Sequence, residues 1–396
     1  MKAEGHELPS EVMELQMGPS HPATHGTIKF NLKLEGEKVL ACDVEAGFLH
    51  RGFDKSCEQA TWTQVIPYTD RLNYASPLIN NVGYALAVEK LIGAETPPRC
   101  QYIRVIASEL SRIHDHLTCC GMAASELGAI TAGFYMIEAR ETITQIVEQL
   151  TGARLTVTYV RIGGVRHDLP RGFQDSVRQS FQKIRKLLAD CDRLLSRNRI
   201  FIDRMSNVGA ISQETALGYC LTGPILRSTG VNYDVRKTFP YLVYDQFDFE
   251  VPLGSKGDNY DRFVCRIQEI EQSMRIIEQA LEKLPVGPVW IDNPRFVLPE
   301  KEKVYNSIEG LMHHFKIIME GILVPPGETY FAVEGGNGEL GFYIVSDASG
   351  RPYRVRVRPP CFIAMGAFHK MIEGYMVADI IPTFGMVNMI GGECDR

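Results

Sequence analysis

Two histidines stand four residues apart in the stretch Gly18-Pro19-Ser20-His21-Pro22-Ala23-Thr24-His25-Gly26. Histidine is the side chain that gives or takes a proton near neutral pH. Two of them on a loop stiffened by proline point to proton chemistry on something held against that loop. Alternating segments flank it, residues 12–17 before and 27–34 after, a pattern of strand, tight loop, strand. A metal site is a second reading of the spacing. Pro22 breaks the helix that would align the two rings, and no third ligand lies nearby. The ordinary alternative is a turn whose histidines satisfy local backbone groups.

Other stretches carry reactive side chains. Pro67-Tyr68-Thr69-Asp70-Arg71-Leu72-Asn73-Tyr74 leads into a long helix. There the Tyr74 phenol either donates to a carbonyl or is an ordinary core tyrosine. Glu109, Arg112, His114, Asp115, His116 and Glu126 crowd the next helix. They pair with one another at the surface, or a carboxylate among them orients a histidine brought from elsewhere. Gly336-Asn337-Gly338-Glu339-Leu340-Gly341 has the spacing of a dinucleotide fingerprint, but Phe342-Tyr343-Ile344-Val345 after it is a strand. The fingerprint needs a helix whose N-terminus faces a pyrophosphate. The segment therefore reads as a hairpin turn, and no nicotinamide site is expected in this chain. Arg354, Arg356 and Arg358, after Arg351, alternate with Val355 and Val357. They are expected on one strand face toward solvent or another subunit, with phosphate binding the alternative.

The elements that position these residues are mostly helical. Glu35-Gly36-Glu37 turns the second strand into a third over 39–44, completing a small antiparallel sheet. Residues 72–92 predict a helix ending at Gly93. Residues 98–124 carry Ile103, Ile106, Leu110, Ile113, Leu117 and Cys120 as one apolar stripe. A third helix covers 133–150, and a fourth presents Phe173, Val177, Phe181, Ile184, Leu188, Cys191 and Leu195 on one face. The fifth steps by three and four from Tyr260 to Leu284, a repeat that packs along another long helix. Residues 285–299 break the pattern, 301–319 give another helix, and short strands follow at 329–334, 340–346 and 353–357. The expected class is α+β, mainly α: a long-helix bundle with a small β layer at each end. It is expected as a single domain over 1–396, with an N-terminal β layer (1–55), a helical bundle (56–325), and a C-terminal β layer and short helix (326–396).

The chain has 396 residues, 45% hydrophobic and 23% charged, enough for a substantial core. A net charge of −6 gives nucleic acid no electrostatic support as a partner. Residues 1–10 are polar and read as no export signal. No run approaches the roughly 18 apolar residues of a membrane span. The nearest, 376–390, is interrupted by Asp379 and Pro382. A soluble or peripheral protein is expected. None of the 10 cysteines forms a Cys-x-x-Cys pair, so reduced thiols are expected.

Taken in order, these stretches resemble one family over nearly the whole chain, from about Val12 to Arg396. The histidine loop, Gly47-Phe48-Leu49-His50-Arg51-Gly52, Asp70-Arg71-Leu72-Asn73-Tyr74 and Arg161-Ile162-Gly163-Gly164-Val165-Arg166-His167-Asp168-Leu169-Pro170 are similar to the D subunits of NADH:quinone oxidoreductase, respiratory complex I. So are Tyr244-Asp245-Gln246, Val251-Pro252-Leu253-Gly254-Ser255, and Val345-Ser346-Asp347 with Arg351-Pro352-Tyr353. The resemblance implies the fold of the nickel–iron hydrogenase large subunit, a long-helix bundle with β layers at its ends. Hydrogenases hold their metals on two Cys-x-x-Cys pairs. Here the Asp70–Tyr74 region has no cysteine, and Cys394 stands without a partner near the C-terminus. The resemblance thus implies no metal, and a vacated cavity that takes a quinone headgroup.

Site roles follow by position in the motifs. His25 resembles the family's quinone-facing histidine, and Tyr74 the tyrosine that hydrogen-bonds the other headgroup carbonyl. Glu126 occupies a position where the family usually has aspartate, as does Asn73. Glu126 is expected to hold the His25 ring toward the quinone. Arg166 or His167 is implied near the terminal iron–sulfur cluster of the B subunit, a cluster carried by that neighbour and not by this chain. No cofactor is expected to be covalently bound. The implied partners are the B, C and I subunits and the membrane-embedded H subunit of the same complex, with the protein peripheral on the cytoplasmic side of the cell membrane. Two other classes stay open: a hydrogenase-like or ferredoxin- or deazaflavin-dependent dehydrogenase subunit, and a non-catalytic scaffold.

Overall fold

The computed structural model describes residues 12–195 and 197–396. The polar segment 1–10, read above for an export signal, lies outside the described residues. Strands β1 (Val12–Met17), β2 (Lys29–Glu35) and β3 (Lys38–Glu45) form an antiparallel sheet, Met17 opposite Phe30 and Phe30 opposite Val44. Strand β2 points Phe30, Leu32 and Leu34 inward and Lys33 and Glu35 outward, as a half-buried strand should.

Helix α1 (Pro77–Ile92) starts five residues later than its periodicity implied. Buried asparagines claim the preceding turns instead. Asn80 Nδ2 donates to Thr69 O (3.1 Å) and Asn73 O (2.9 Å), and Asn81 Nδ2 to Asp70 Oδ1 (2.8 Å). Helix α2 (Pro98–Glu126) buries the whole predicted stripe from Ile103 to Cys120. It also buries Arg104, Glu109, Arg112, Asp115 and His116, so the expected surface pairing does not occur. The reason is tertiary: α3 (Ile130–Thr151), α5 (Asn259–Glu282) and a C-terminal helix surround it. Helix α4 (Phe173–Leu195) lays Phe173, Val177, Phe181 and Ile184 inward and packs on α3. Helix α5 is capped by the Asp258 carboxylate on Asp261 N and packs along α2. The helix expected over 301–319 is divided at Ser307, whose hydroxyl accepts from Gly310 N and starts a second piece, Ile308–Met319.

Strands β4 (Gly327–Glu334), β5 (Glu339–Ser346) and β6 (Arg354–Arg358) form the second sheet, which packs on α1. The glycine-rich segment is the β4–β5 hairpin turn, closed by Gly335 N on Gly338 O at 2.7 Å. The β6 arginines meet partners within the chain, and Arg354 and Arg356 keep part of their surface open. Arg354 pairs with Glu58 (3.4 Å), Arg356 with Asp54 (2.9 Å), and Arg358 donates to Glu339 O and Cys220 O. Three helices follow, α6 (Pro360–Ile372), α7 (Val377–Val387) and α8 (Gly391–Cys394), more than the single short helix expected. Pro360, Pro382 and the surrounding glycines break up the periodicity by which they would be read. Phe30 of β2 stacks on Phe368 of α6 at 5.0 Å and meets Phe384 of α7 edge-on at 5.7 Å, so one apolar core joins the two ends of the chain. The class is α+β, mainly α, with small sheets near both ends, as the sequence implied. Among the described residues no helix is long and apolar enough to cross a membrane.

Candidate functional site

The two loop histidines part company. His21 caps the short turn Pro22–Thr24, its Nδ1 accepting from Ala23 N at 3.1 Å, and so takes the backbone role. Thr24 is buried and its hydroxyl donates to Pro19 O and His21 O, which fixes the loop. His25 ends the turn with φ 53° and carries its ring away from it. That ring lies edge-on to Phe384 with centroids 5.2 Å apart. Its Nε2 is 3.8 Å from Oε1 of Glu126, the last residue of α2, an ion-pair distance beyond a direct hydrogen bond. The His25 side chain keeps 38% of its surface open, and Glu126 18%. Glu126 Oε2 is buried without a hydrogen-bond partner and lies against α7 at Gly385, where a Cβ would sit 2.7 Å from it. A methyl there would press on the carboxylate.

Tyr74 is not a core tyrosine. It is 42% exposed, in the turn before α1. Burial of the rest of the ring raises its phenol above the ordinary value, and the neighbouring Cys361 and Asp115 raise it further. No hydrogen bond or ring contact joins it to His25 or Glu126; the structure pairs those two, and Asn73 beside Tyr74 joins a second cluster. Asp115, fully buried on α2, accepts from Asn73 Nδ2 (3.4 Å) and Asn388 Nδ2 (3.1 Å). Asn388 also donates to Asn337 Oδ1 at 2.7 Å, and Asn337 donates to the Cys361 sulfur at 3.2 Å. The Cys361 thiol donates to Glu393 Oε2 at 3.3 Å, and burial pushes the Glu393 carboxyl up to about 7. A Cβ on Gly336 would lie 2.2 Å from Asp115 Oδ2. The first glycine of the segment that imitates a phosphate loop thus serves a close approach to this buried carboxylate, while Gly338 lies against Thr222 and Gly341 against Tyr330.

The Gly47–Gly52 motif ties the C-terminus to the Tyr74 turn. Gly47 N and Leu49 N donate to the Asp395 carboxylate at 3.0 and 2.8 Å. Arg51 Nη2 donates to both Gly392 O and Arg71 O at 2.9 Å. Arg166 and His167 stand elsewhere, exposed on a loop that lines a shallow cleft of about 430 Å³ with residues 149–152. Asp70 links that region to the Tyr74 turn by accepting from Thr158 N (2.9 Å) and from the Thr158 hydroxyl. A cleft of about 1010 Å³, lined by Tyr233, Tyr241, Phe331 and Glu339, includes none of the expected site residues. Sequence reasoning passed over Cys361, Asn388, Glu393 and Phe384, which come from remote segments and share no spacing signal with Tyr74 or His25.

The site therefore offers an imidazole at ion-pair distance from a carboxylate, an accessible phenol, and a buried acid whose carboxyl is pushed up to about 7. All ten cysteines are free thiols. Among the described residues no three His, Cys, Asp or Glu side chains gather as a metal ion would need. Groups of these types can give or take protons, and here they sit on a bundle that stacks helices around them. A family model described as respiratory-chain NADH dehydrogenase, 49 Kd subunit, matches residues 126–396. The chain is 57% identical over 391 residues to the first D-type NADH-quinone oxidoreductase subunit of Sorangium cellulosum, covering 98% of this chain and 97% of that one. It is 53% identical over 389 residues to the D-type subunit of Myxococcus xanthus, covering 98% and 94%. It is 48% identical over 392 residues to the C/D-type subunit of Bdellovibrio bacteriovorus, covering 99% of this chain and 70% of the longer protein. The chain belongs to the family of the 49 kDa, or D-type, subunits of NADH-quinone oxidoreductase.

Proposed function

We propose that this chain shapes the quinone headgroup site of a proton-translocating NADH:quinone oxidoreductase and supplies protons to it. The observation that carries this reading is the His25 ring. It leaves its loop, packs edge-on to Phe384, stands 3.8 Å from Glu126, and keeps an open face. A quinone takes two electrons and two protons, and negative charge develops on its carbonyl oxygens. Donors already aimed at that charge stabilise it without reorganisation. His25 and the Tyr74 phenol are such donors, one to each carbonyl. Electrons arrive from an iron–sulfur cluster on the B subunit, and the Arg166–His167 loop is the segment proposed to lie near it. The C and I subunits and the membrane-embedded H subunit complete the surroundings, with the protein peripheral on the cytoplasmic face of the membrane. The Bdellovibrio relative, whose name joins C and D, supports the contact with the C subunit.

In the assembled complex, Tyr74→Phe and His25→Ala are expected to slow quinone reduction. Electron transfer from NADH to an artificial acceptor should survive. Loss of one donor to developing charge costs about 3 kcal/mol, roughly a hundredfold in rate. Unchanged quinone kinetics in both variants would move the site elsewhere.

A further inference from the structure

Tyr74 is the one exposed residue between Leu72 and Asn80; its neighbours on both sides are buried. Among the described residues nothing hydrogen-bonds its hydroxyl. A side chain with a free tip is aimed by its own backbone, and tyrosine adds only two rotatable bonds to that aim. The carbonyls on either side of Tyr74 are each held by a side chain from a helix. Asn73 O accepts from Asn80 Nδ2 at 2.9 Å, and Ala75 O lies 2.7 Å from His114 Nδ1. A carbonyl only accepts, so Nδ1 carries a ring proton and donates it.

The two holders stand on different helices. Asn80, buried in the first turn of α1, also donates to Thr69 O at 3.1 Å, so one amide brackets the turn from Thr69 to Asn73. His114 belongs to α2. One turn before it, Ser111 Oγ accepts from Leu78 N at 3.3 Å and ties the start of α1 to α2. Between the two carbonyls the Asn73 side chain accepts from Ala75 N at 3.0 Å and closes the tip. The peptides flanking Tyr74 are thus fixed from two directions, and the ring is left open.

We infer that Asn80 and His114 are positioning residues for Tyr74, holding its backbone so that the phenol faces the quinone carbonyl; this rests on the quinone site proposed above. Neither residue touches the phenol. Each acts through a carbonyl one residue away from it. A displacement of about 1 Å at a reacting group is enough to cost roughly a hundredfold in rate. Bonds that merely satisfy a buried turn would instead affect assembly and stability, whatever residue stands at position 74.

The test is a double-mutant cycle in the assembled complex. His114→Gln withdraws the donor from Ala75 O at similar bulk, and His114→Asn returns an N–H to the Nδ1 position. Asn80→Ala removes both of its bonds. His114→Gln and Asn80→Ala are each expected to slow quinone reduction about tenfold, with NADH oxidation by an artificial acceptor kept. His114→Asn should stay within about twofold of the parent, and in a Tyr74→Phe background the damaging variants should add less than about twofold. The same tenfold loss in that background means action elsewhere and overturns the inference, as does an equal loss in His114→Asn and His114→Gln. Should Asn80→Ala fail to assemble, the His114 pair decides, because that ring is only partly buried. If Tyr74→Phe itself leaves quinone kinetics unchanged, the quinone site falls. If Tyr74→Phe slows reduction and the positioning variants do not, the quinone site stands and the positioning falls.

Discussion

Glu126 reaches His25 from the end of α2, and its second oxygen rests in the space left by Gly385. The Glu126 carboxylate is thereby seated against α7. Glu126→Gln keeps the shape and removes the charge, and is expected to lower quinone reduction by about tenfold, ~1.4 kcal/mol. Glu126→Asp should retain most activity. Gly385→Ala should resemble Glu126→Gln, because its methyl would lie 2.7 Å from Oε2 and push the carboxylate aside. Steady-state rates of the assembled complex check all three. If Glu126→Gln leaves the rate unchanged, its approach to His25 is incidental. At this scale the sequence named His25, Tyr74 and Glu126 by residue type and motif. It was silent on Asp115, Cys361 and Glu393 as a set, because hydrogen bonds between remote segments leave no spacing to read.

The seam between α2 and α5 is built on charge as well as on apolar packing. Glu109 accepts from Arg112 Nε (3.2 Å), Arg236 Nη1 (3.1 Å), Tyr244 Oη (2.7 Å) and Ser273 Oγ (2.7 Å), all of them buried. Burial opposes its ionisation, yet the two guanidinium groups outweigh it and bring its carboxyl down to about 2. Glu109→Gln leaves the buried Arg112 without its paired carboxylate and Arg236 with Asp234 alone, and is expected to cost about 3–5 kcal/mol. The sign with pH follows from the depressed value. The stabilisation, about 3 kcal/mol, is complete above the ordinary carboxylate range near 4.3 and is lost as pH falls through about 2. Denaturant unfolding between pH 3 and 7 should show the acid-side slope reduced in the variant. An unaltered slope would mean that another carboxylate governs acid stability. Periodicity disclosed that α2 and α5 would pack, but not that the charges of α2 would be enclosed. A stripe analysis assigns polar residues to water, and here a fifth helix and a hairpin take the place of water.

As a whole molecule the chain leaves an apolar helix bare. In Ile308–Met319 no residue is buried, and Ile308, Leu311, Met312, Phe315, Ile318 and Met319 are each about half exposed or more. A contiguous apolar face of this kind marks an interaction surface in a protein that works in a complex. Replacing Leu311 and Phe315 by serine should make the isolated chain more monodisperse in size-exclusion chromatography. It should also weaken retention in the purified complex, with stability changed by no more than about 0.5 kcal/mol. A variant that co-purifies as the parent does would show that nothing docks there.

The sequence by itself determined the helical periodicities, the strand–loop–strand around His25, the hairpin in place of a phosphate loop, and the family. Each of these is local: a period of two or 3.6, a proline, or a short motif. Tertiary structure alone decided which histidine is free, since His21 is spent on a backbone N–H two residues away and His25 meets α7 and α2. It decided that Tyr74 stays open and that Asp115 meets Asn388, because burial and polar pairing depend on segments more than a hundred residues apart. It also decided that the first strands and the last helices share one core, through Phe30, Phe368 and Phe384. Apolar residues declare that they will be buried; only the packed chain chooses what they are buried against.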